Sequence, residues 1–545
     1  MHIVQTMRHN NRHLGPSALD SVGIIGAGPG GLATGLLLAS HGVPTTIYES
    51  DATVGGRCKT VQNQGFRFDR GPTFFLMPEV LDEVLALTGE TAQSVGNLTE
   101  LNPMYRLDIG WSGRVERIDA VRDLARMQAR LNQICPGDGD SFLEFCRLNE
   151  KKLSAFEPVL RSSFDSPFDA VRPDFVKGGL RLDPFRSLKT VNASYFSHPV
   201  SQIAVGFQSK YLGMSAAECP SLFSILPLIE YGFGVWHPKG GCGQLMQSLA
   251  DLFVRLGGTI RLDSPVAGLM VDGKNCDGVV LQDGSEHRHD HVVVNADAAW
   301  AINNLMPSHI RGAWGKRRTA KAKYSCSTAM LYLGVDGEVD MPHHTIRVAE
   351  DYEQNLRDIS RGNGRSGMVS EDPSFYVCNP SVTDDSMAPD GCSSLYILIP
   401  TPNQKSGLDW SSELPALRHK VLGTLANEYG IDLSDRIRVE CVETPQTWAQ
   451  SNIEFGATFS LSHTLDQMAF RRPNHRWPGV DGLWMVGGGT HPGSGLPVIF
   501  LGAKSTAESI LKSAGIENQL PASKPVAQLA TFSTGAHSTK EVIHV

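Results

Sequence analysis

Gly26, Gly28 and Gly31 stand at the spacing G-x-G-x-x-G, inside Val-Gly-Ile-Ile-Gly-Ala-Gly-Pro-Gly-Gly-Leu-Ala (Val22–Ala33). Glycine at those positions permits a tight turn, lets the backbone approach a phosphate, and lets a helix pack closely on the preceding strand. Pro29 falls where a first-turn proline is tolerated, with Gly30 beside it. The free N–H groups and dipole of a helix starting there favour a pyrophosphate. Glu49 arrives about 20 residues later, the place for an acceptor of ribose hydroxyls, with Ser50 following it. Its carboxylate would repel a 2′-phosphate, which argues against NADP. By itself the motif does not separate NAD from FAD.

Two further glycine-bearing stretches belong with it. Val54-Gly55-Gly56-Arg57-Cys58 comes straight after the acid, and Gly65–Gly71 and Pro72 follow. Far down the chain, Gly482–Pro497 carries Gly488, Gly489, His491, Gly495, Leu496 and Pro497 ahead of a helical run. Arg57 suits a phosphate, since a guanidinium pairs with it in two hydrogen bonds; the plainer alternative is a surface arginine in a loop.

Elements that would position these groups are legible as patterns. Val22–Ile25 is a short apolar run of buried parallel-strand type, and a second strand follows at Thr45–Tyr48 after a helix over about Gly30–Ser40 that Gly42 stops. Val235–Gly243 is a turn cluster that opens an amphipathic helix over Gln244–Leu256. Strands are expected at Thr259–Leu262, Val266–Val271, Val279–Leu281 and His291–Asn295, with a hairpin across Asp272-Gly273. A last helix should run from Leu496 or Pro497 to about Leu511 and aim its N-terminus at a ligand.

The chain has 545 residues, enough for several domains' worth of mass, with 41% hydrophobic and 19% charged residues. A net charge of −8 and a sequence pI near 6.1 argue against nucleic acid as a partner. Ten cysteines are scattered with no C-x-x-C pair, so neither a zinc site nor a dithiol is expected, and no metal is assigned. Neither a secretory signal nor an apolar stretch of membrane-spanning length is found.

The Gly-Gly-Arg continuation resembles the extended cofactor signature of the flavin amine oxidase and carotenoid desaturase superfamily. The resemblance sharpens at Gly71-Pro72-Thr73, Trp236–Gly241, Tyr324–Ser327, His343–Ile346, Asp372–Asp384, Arg471–Asn474 and Gly489–Pro497. These stretches resemble the bacterial and fungal type of phytoene desaturase, a family that includes C30 (diapo) desaturases and carotenoid oxidases, from about Ser21 to Lys512. Phe74-Phe75-Leu76-Met77 is bulkier than expected of the forty-carbon enzymes.

What the resemblance implies is an α/β protein. A Rossmann-like FAD-binding domain of GR2 type is interleaved with an α+β substrate domain and a helical membrane-facing region. The expected division is an N-terminal extension over 1–20, FAD-binding parts over 21–90, 235–326 and 445–513, substrate parts over 91–234 and 327–444, and a disordered tail over 514–545. Gly26, Gly28, Pro29, Gly30, Gly31, Glu49, Ser50, Gly56, Arg57, Gly71, Pro72, Thr73, Gly488, Gly489, Gly495, Leu496 and Pro497 are expected on FAD. Val266 would hold adenine through its backbone, or is plain strand core.

The implied reaction passes a hydride from an allylic carbon of an acyclic polyene to flavin, and a base or water then removes the vicinal proton. His491 is a candidate contact for flavin or substrate, or a loop-fixing histidine. Glu230 and Asp384 are candidate proton acceptors, against the reading of each as a structural carboxylate. A quinone or oxygen must reoxidise the flavin. Oxidation of a terminal methyl group is the alternative reaction; an amine oxidase and a non-enzymatic prenyl-protein escort are lesser ones. Aromatic and basic residues interleave over Phe164–Phe196, which suits a membrane surface, so the expected location is cytoplasmic with peripheral membrane contact.

Overall fold

The computed structural model describes residues 21–163, 182–360 and 368–523, with Leu19 and Pro525. Most of the Phe164–Phe196 stretch, including Phe164, Phe168, Arg172, Phe175, Lys177 and Arg181, lies outside them, as do residues 1–18, Asp20 and most of the C-terminal stretch.

One sheet has five parallel strands in the order Leu483–Met485, His291–Val294, Val22–Ile25, Thr45–Tyr48, Thr259–Arg261. Two of the three inner strands read VGII and HVVV, without polar alternation, because a parallel sheet covered on both faces buries both sides of each strand. Helix Pro29–Ser40 leaves the central strand, buries Leu32, Leu36, Leu37 and Leu38 completely, and packs on helices Leu496–Ser513 and Gly241–Arg255. A helix buried that fully is hydrophobic on every side. Gly26 has φ +97°, and a Cβ there would sit 2.8 Å from Asn295 O, so the turn out of the strand requires glycine. A three-stranded meander, Val266–Asp272, Asn275–Leu281 and Glu286–Arg288, turns at Asp272-Gly273 as the sequence suggests.

The second sheet has seven strands in the order Ile437–Glu443, Ser327–Asp336, Cys392–Thr401, Phe375–Cys378, His344–Val348, Tyr105–Trp111, Arg114–Ala120. All neighbours are antiparallel except His344–Val348 with Tyr105–Trp111. Period-two alternation sorts its faces. Ala329, Leu331, Leu333 and Val335 pack with Leu395, Ile397 and helix residues Leu417, Val421 and Leu425 of Trp410–Tyr429. Met330, Tyr332, Tyr396 and Cys378 face the other way, onto Phe66, Phe68 and Trp448.

One expectation needs correction. Residues 514–523 are not a loose tail. Ile516 and Leu520 pack on the main core, Gln519 N donates to His41 Nε2 (3.1 Å), and Ser523 Oγ lies 2.6 Å from both Glu83 and Lys504. Two apolar side chains without periodicity leave no pattern to read, yet they suffice to dock a short segment. Among the described residues no helix is long and apolar enough to cross a membrane.

Candidate active site

A single cavity of about 960 Å³ lies between the two sheets. Its first end is backbone. Gly26, Gly28, Pro29 and Gly30 line it at the start of helix Pro29–Ser40, whose N-cap, Gly28, supplies no side-chain cap. The start of that helix, with Gly30 the first residue to carry an N–H, therefore faces the cavity without a side-chain cap. A Cβ on Gly30 would come within 2.7 Å of Asn295 Oδ1, and one on Gly28 within 3.1 Å of Asn295 Nδ2. Asn295, not singled out by its type in the sequence, clamps the turn by donating from Nδ2 to Gly26 O (3.0 Å).

Glu49, Ser50 and Val266 line the same end. Glu49 is buried, and its Oε2 accepts from Ala27 N (2.7 Å) while Oε1 accepts from Ser50 Oγ and Asp51 N. The carboxylate is thus held in place by the backbone of the glycine turn itself. Gly56 and Arg57 come alongside, and Arg57 Nη1 donates to Thr458 O (2.9 Å).

At the middle of the cavity, Gly71, Pro72 and Thr73 face Gly488, Gly495, Leu496 and Pro497 across the start of helix Leu496–Ser513. Gly495, with φ +118°, caps that helix without a side chain. Tyr396 Oη donates to Gly71 O (2.6 Å). Arg472, buried, donates to the carbonyls of Leu461, Ser462, Gly488 and Thr490 and so laces the loop from below.

The far end is apolar and aromatic. Phe74, Leu76, Phe207, Tyr211, Ile346 and Val348 form much of it, with Tyr352, Tyr376 and Leu398. Lys210 also reaches the wall; burial lowers its ammonium to about 8, and its Nζ sits 5.0 Å from the centre of the Tyr352 ring.

FAD fits these residues. The two helix starts without a side-chain cap, the glycines that line the wall beside them, and a buried carboxylate suit a dinucleotide. Thr458 Oγ1 and Ser494 Oγ, both on the wall, are buried with no hydrogen-bond partner, as expected where a polar ligand supplies one.

Not every expected site residue lies on the cavity. Gly31 and Gly489 do not line it. A Cβ on Gly31 would meet Gly26 O at 2.2 Å, and one on Gly489 would meet Ala298 Cβ at 2.6 Å, so both serve close packing. The three candidate catalytic groups are also elsewhere. His491 Nε2 donates to Val159 O (2.9 Å), and burial, then His475, holds the ring at about 3. Glu230 is fully buried behind the wall, where Oε2 accepts from Tyr105 Oη (2.8 Å) and Gln208 Nε2 (3.0 Å); Tyr105 packs edge-on against Phe207. Burial raises Glu230 to about 7, despite those hydrogen bonds. Asp384 Oδ2 accepts from His237 Nε2 (3.0 Å) and Gly240 N (2.6 Å) and Oδ1 from Ser386. Burial works against its charged form, but those donors outweigh it and hold the carboxyl low. Each group is engaged by protein donors or acceptors, and none of the three is on the cavity surface where the sequence reading expects them.

The sequence of residues 29–511 matches the flavin-containing amine oxidoreductase family. The chain is 39% identical over 489 residues to a 4,4'-diapophytoene desaturase (4,4'-diapolycopene-forming) of Methylomonas sp, covering 89% of this chain and 94% of that one. It is 36% identical over 502 residues to an all-trans-zeta-carotene desaturase of Myxococcus xanthus, covering 90% and 93%. The fold is similar to that of cyclohexylamine oxidase from Brevibacterium oxydans, with a TM-score of 0.55, 18% identity, and coverage of 91% of this chain and 99% of that one.

Proposed function

Since the chain belongs to the flavin-containing amine oxidoreductase family, and within it to the carotenoid desaturases, we propose that it is an FAD-dependent desaturase of an acyclic polyene of the diapophytoene type. FAD is its cofactor. The observation that carries the reading is the single cavity that joins a glycine-walled end to an aromatic, apolar end. A long hydrocarbon needs the second and a dinucleotide the first.

Bound FAD supplies the two-electron acceptor for a hydride from an allylic carbon. The protein's part is placement and exclusion of water. Gly26–Gly30, Glu49, Ser50 and Val266 take the adenosine and pyrophosphate, with Arg57 alongside. Gly71–Thr73 and Gly488, Gly495, Leu496 and Pro497 take the flavin end, where the helix start of Leu496–Ser513 favours negative charge. Phe74, Phe207 and Tyr211 hold the polyene against it and keep water out. Their ring faces also favour positive charge on a neighbouring chain of carbons.

A quinone or dioxygen closes the cycle, since the electrons must leave the flavin. Contact with a membrane is part of the proposal. It is supported by a substrate that water does not dissolve and by Phe185, 91% exposed, beside Arg186 and Lys189.

The test is mass spectrometry of pigments from cells that make diapophytoene or phytoene and express this protein. Products that have lost hydrogens in pairs are expected. Products that have gained oxygen would replace the reading with terminal-methyl oxidation.

A further inference from the structure

A hydrogen-bonded line runs from the cavity wall into the second sheet. Thr73 Oγ1 lies 2.7 Å from Tyr376 Oη, and Tyr376 Oη lies 2.6 Å from His344 Nδ1. Thr73 and Tyr376 line the cavity; His344 does not, and is 1% exposed. Phe74, next to Thr73, stacks on His344 with ring centroids 4.2 Å apart and planes 11° apart. That stack fixes the imidazole plane while its Nδ1 meets the phenol. His344 Nε2 is buried with no hydrogen-bond partner. Burial, and then His237, keeps His344 well below the usual histidine range, so the ring is neutral. A relay along this line requires the His344 proton on Nε2, so that Nδ1 is free to accept from Tyr376 Oη and Tyr376 Oη from Thr73 Oγ1.

The three groups come from the loop after the Gly71-Pro72 pair and from two adjacent strands, paired in register His344↔Cys378 and Ile346↔Tyr376. No part of cofactor binding uses the Tyr376–His344 end of this line.

We propose that Thr73, Tyr376 and His344 form the proton-accepting relay of the reaction, with Thr73 as the catalytic residue at the substrate and His344 as the store. The proposal rests on the desaturase reading above. A hydride leaves one allylic carbon for the flavin. The adjacent carbon then loses a proton to Thr73 Oγ1, and the electron pair of that C–H bond becomes the new double bond. The hydroxyl proton of Thr73 passes to Tyr376 Oη, and that of Tyr376 passes to His344 Nδ1, leaving an imidazolium. The substrate is oxidised by two electrons, which the flavin accepts with one proton. His344 keeps the other proton until a quinone or dioxygen takes both electrons and both protons. A polyenyl cation is so strong an acid that a buried neutral imidazole suffices as acceptor, whereas a lone threonine hydroxyl does not.

The experiment uses FAD-loaded protein with diapophytoene in phosphatidylcholine vesicles. Native protein is compared with Thr73→Val, Thr73→Ser and Tyr376→Phe at equal flavin content. The expected result is a fall in kcat of about 100-fold or more for Thr73→Val and Tyr376→Phe, and a clearly smaller fall in Thr73→Ser, which keeps the hydroxyl. Infrared difference spectra with ring-labelled histidine, recorded anaerobically on substrate addition, should show an imidazolium band in the native protein and Thr73→Ser only. A Thr73→Val protein with native kcat, or an imidazolium band that persists in Tyr376→Phe, overturns the relay. If the native protein converts no polyene, the desaturase reading falls and takes the relay with it; if it converts polyene and the variants keep pace, the relay alone falls. The Val–Ser pair decides the matter even if Tyr376→Phe does not fold.

Discussion

The glycine end of the cavity is walled by backbone from three short stretches, Gly26–Gly30, Gly56–Arg57 and Gly487–Pro497, whereas the aromatic end is walled by side chains such as Phe74, Tyr211, Ile346, Tyr376 and Leu398, drawn from five remote segments. The first is made by removing side chains, so its chemistry is amides and helix ends. The second is made by filling space, so its chemistry depends on which side chains a β-sheet happens to bring face to face. An enzyme that joins them can hold one cofactor by a fixed device and vary its substrate at the other end.

The largest expected effect breaks the first region alone. Gly28→Val places a branched side chain against Asn295 on the cavity wall, and should abolish bound flavin by blocking the approach of a pyrophosphate. The check is the visible spectrum of the purified protein, with circular dichroism showing an intact fold. Retained flavin absorbance would move the cofactor off this cradle.

Leu417→Ala addresses the second region from behind. Leu417 is fully buried against the seven-stranded sheet, and its truncation should cost about 2–5 kcal/mol of stability. Chemical denaturation measures it, and flavin content of the folded protein should not change. A loss of flavin in step with stability would show that the two ends are not separable.

Glu230→Gln sharpens the comparison through pH. In the folded chain burial pushes Glu230 up to about 7, from an ordinary carboxyl value of about 4.5. Its folded form binds the proton more tightly than its unfolded form, so its contribution is fully present below about 4.5 and is lost as pH rises to about 7 and beyond. That is about 3 kcal/mol. Denaturation midpoints across this window should fall for the native protein and fall by less for Glu230→Gln. Equal slopes would remove the buried carboxyl from the account.

Tyr396→Phe is the smallest expected effect. It deletes the hydrogen bond to Gly71 O that ties the seven-stranded sheet to the Gly71–Thr73 loop, at about 1 kcal/mol. A thermal shift should detect it, with flavin still bound. No shift would mean that the Gly71 loop is held by its other contacts.

The sequence by itself determined the cradle. Val22–Ile25, the helix after it, Thr45–Tyr48 and Glu49 lie within one short span, and their roles follow from local rules: a run buried on both faces, a proline at the helix start, glycines where a Cβ would strike Asn295 or Gly26. The Gly488–Pro497 loop was legible for the same reason, since its glycines and helix start are contiguous. Only the tertiary structure decided where Glu230, Asp384 and His491 sit and what they pair with. A carboxylate or imidazole looks the same in sequence whether it faces a substrate or accepts from Tyr105, His237 or its neighbours. It alone also brought Thr73, Tyr376 and His344 within hydrogen-bond reach. Alternation tells which face of a strand a residue occupies, but the partner across that face is set by strand order and register, and those are long-range properties that no local spacing encodes.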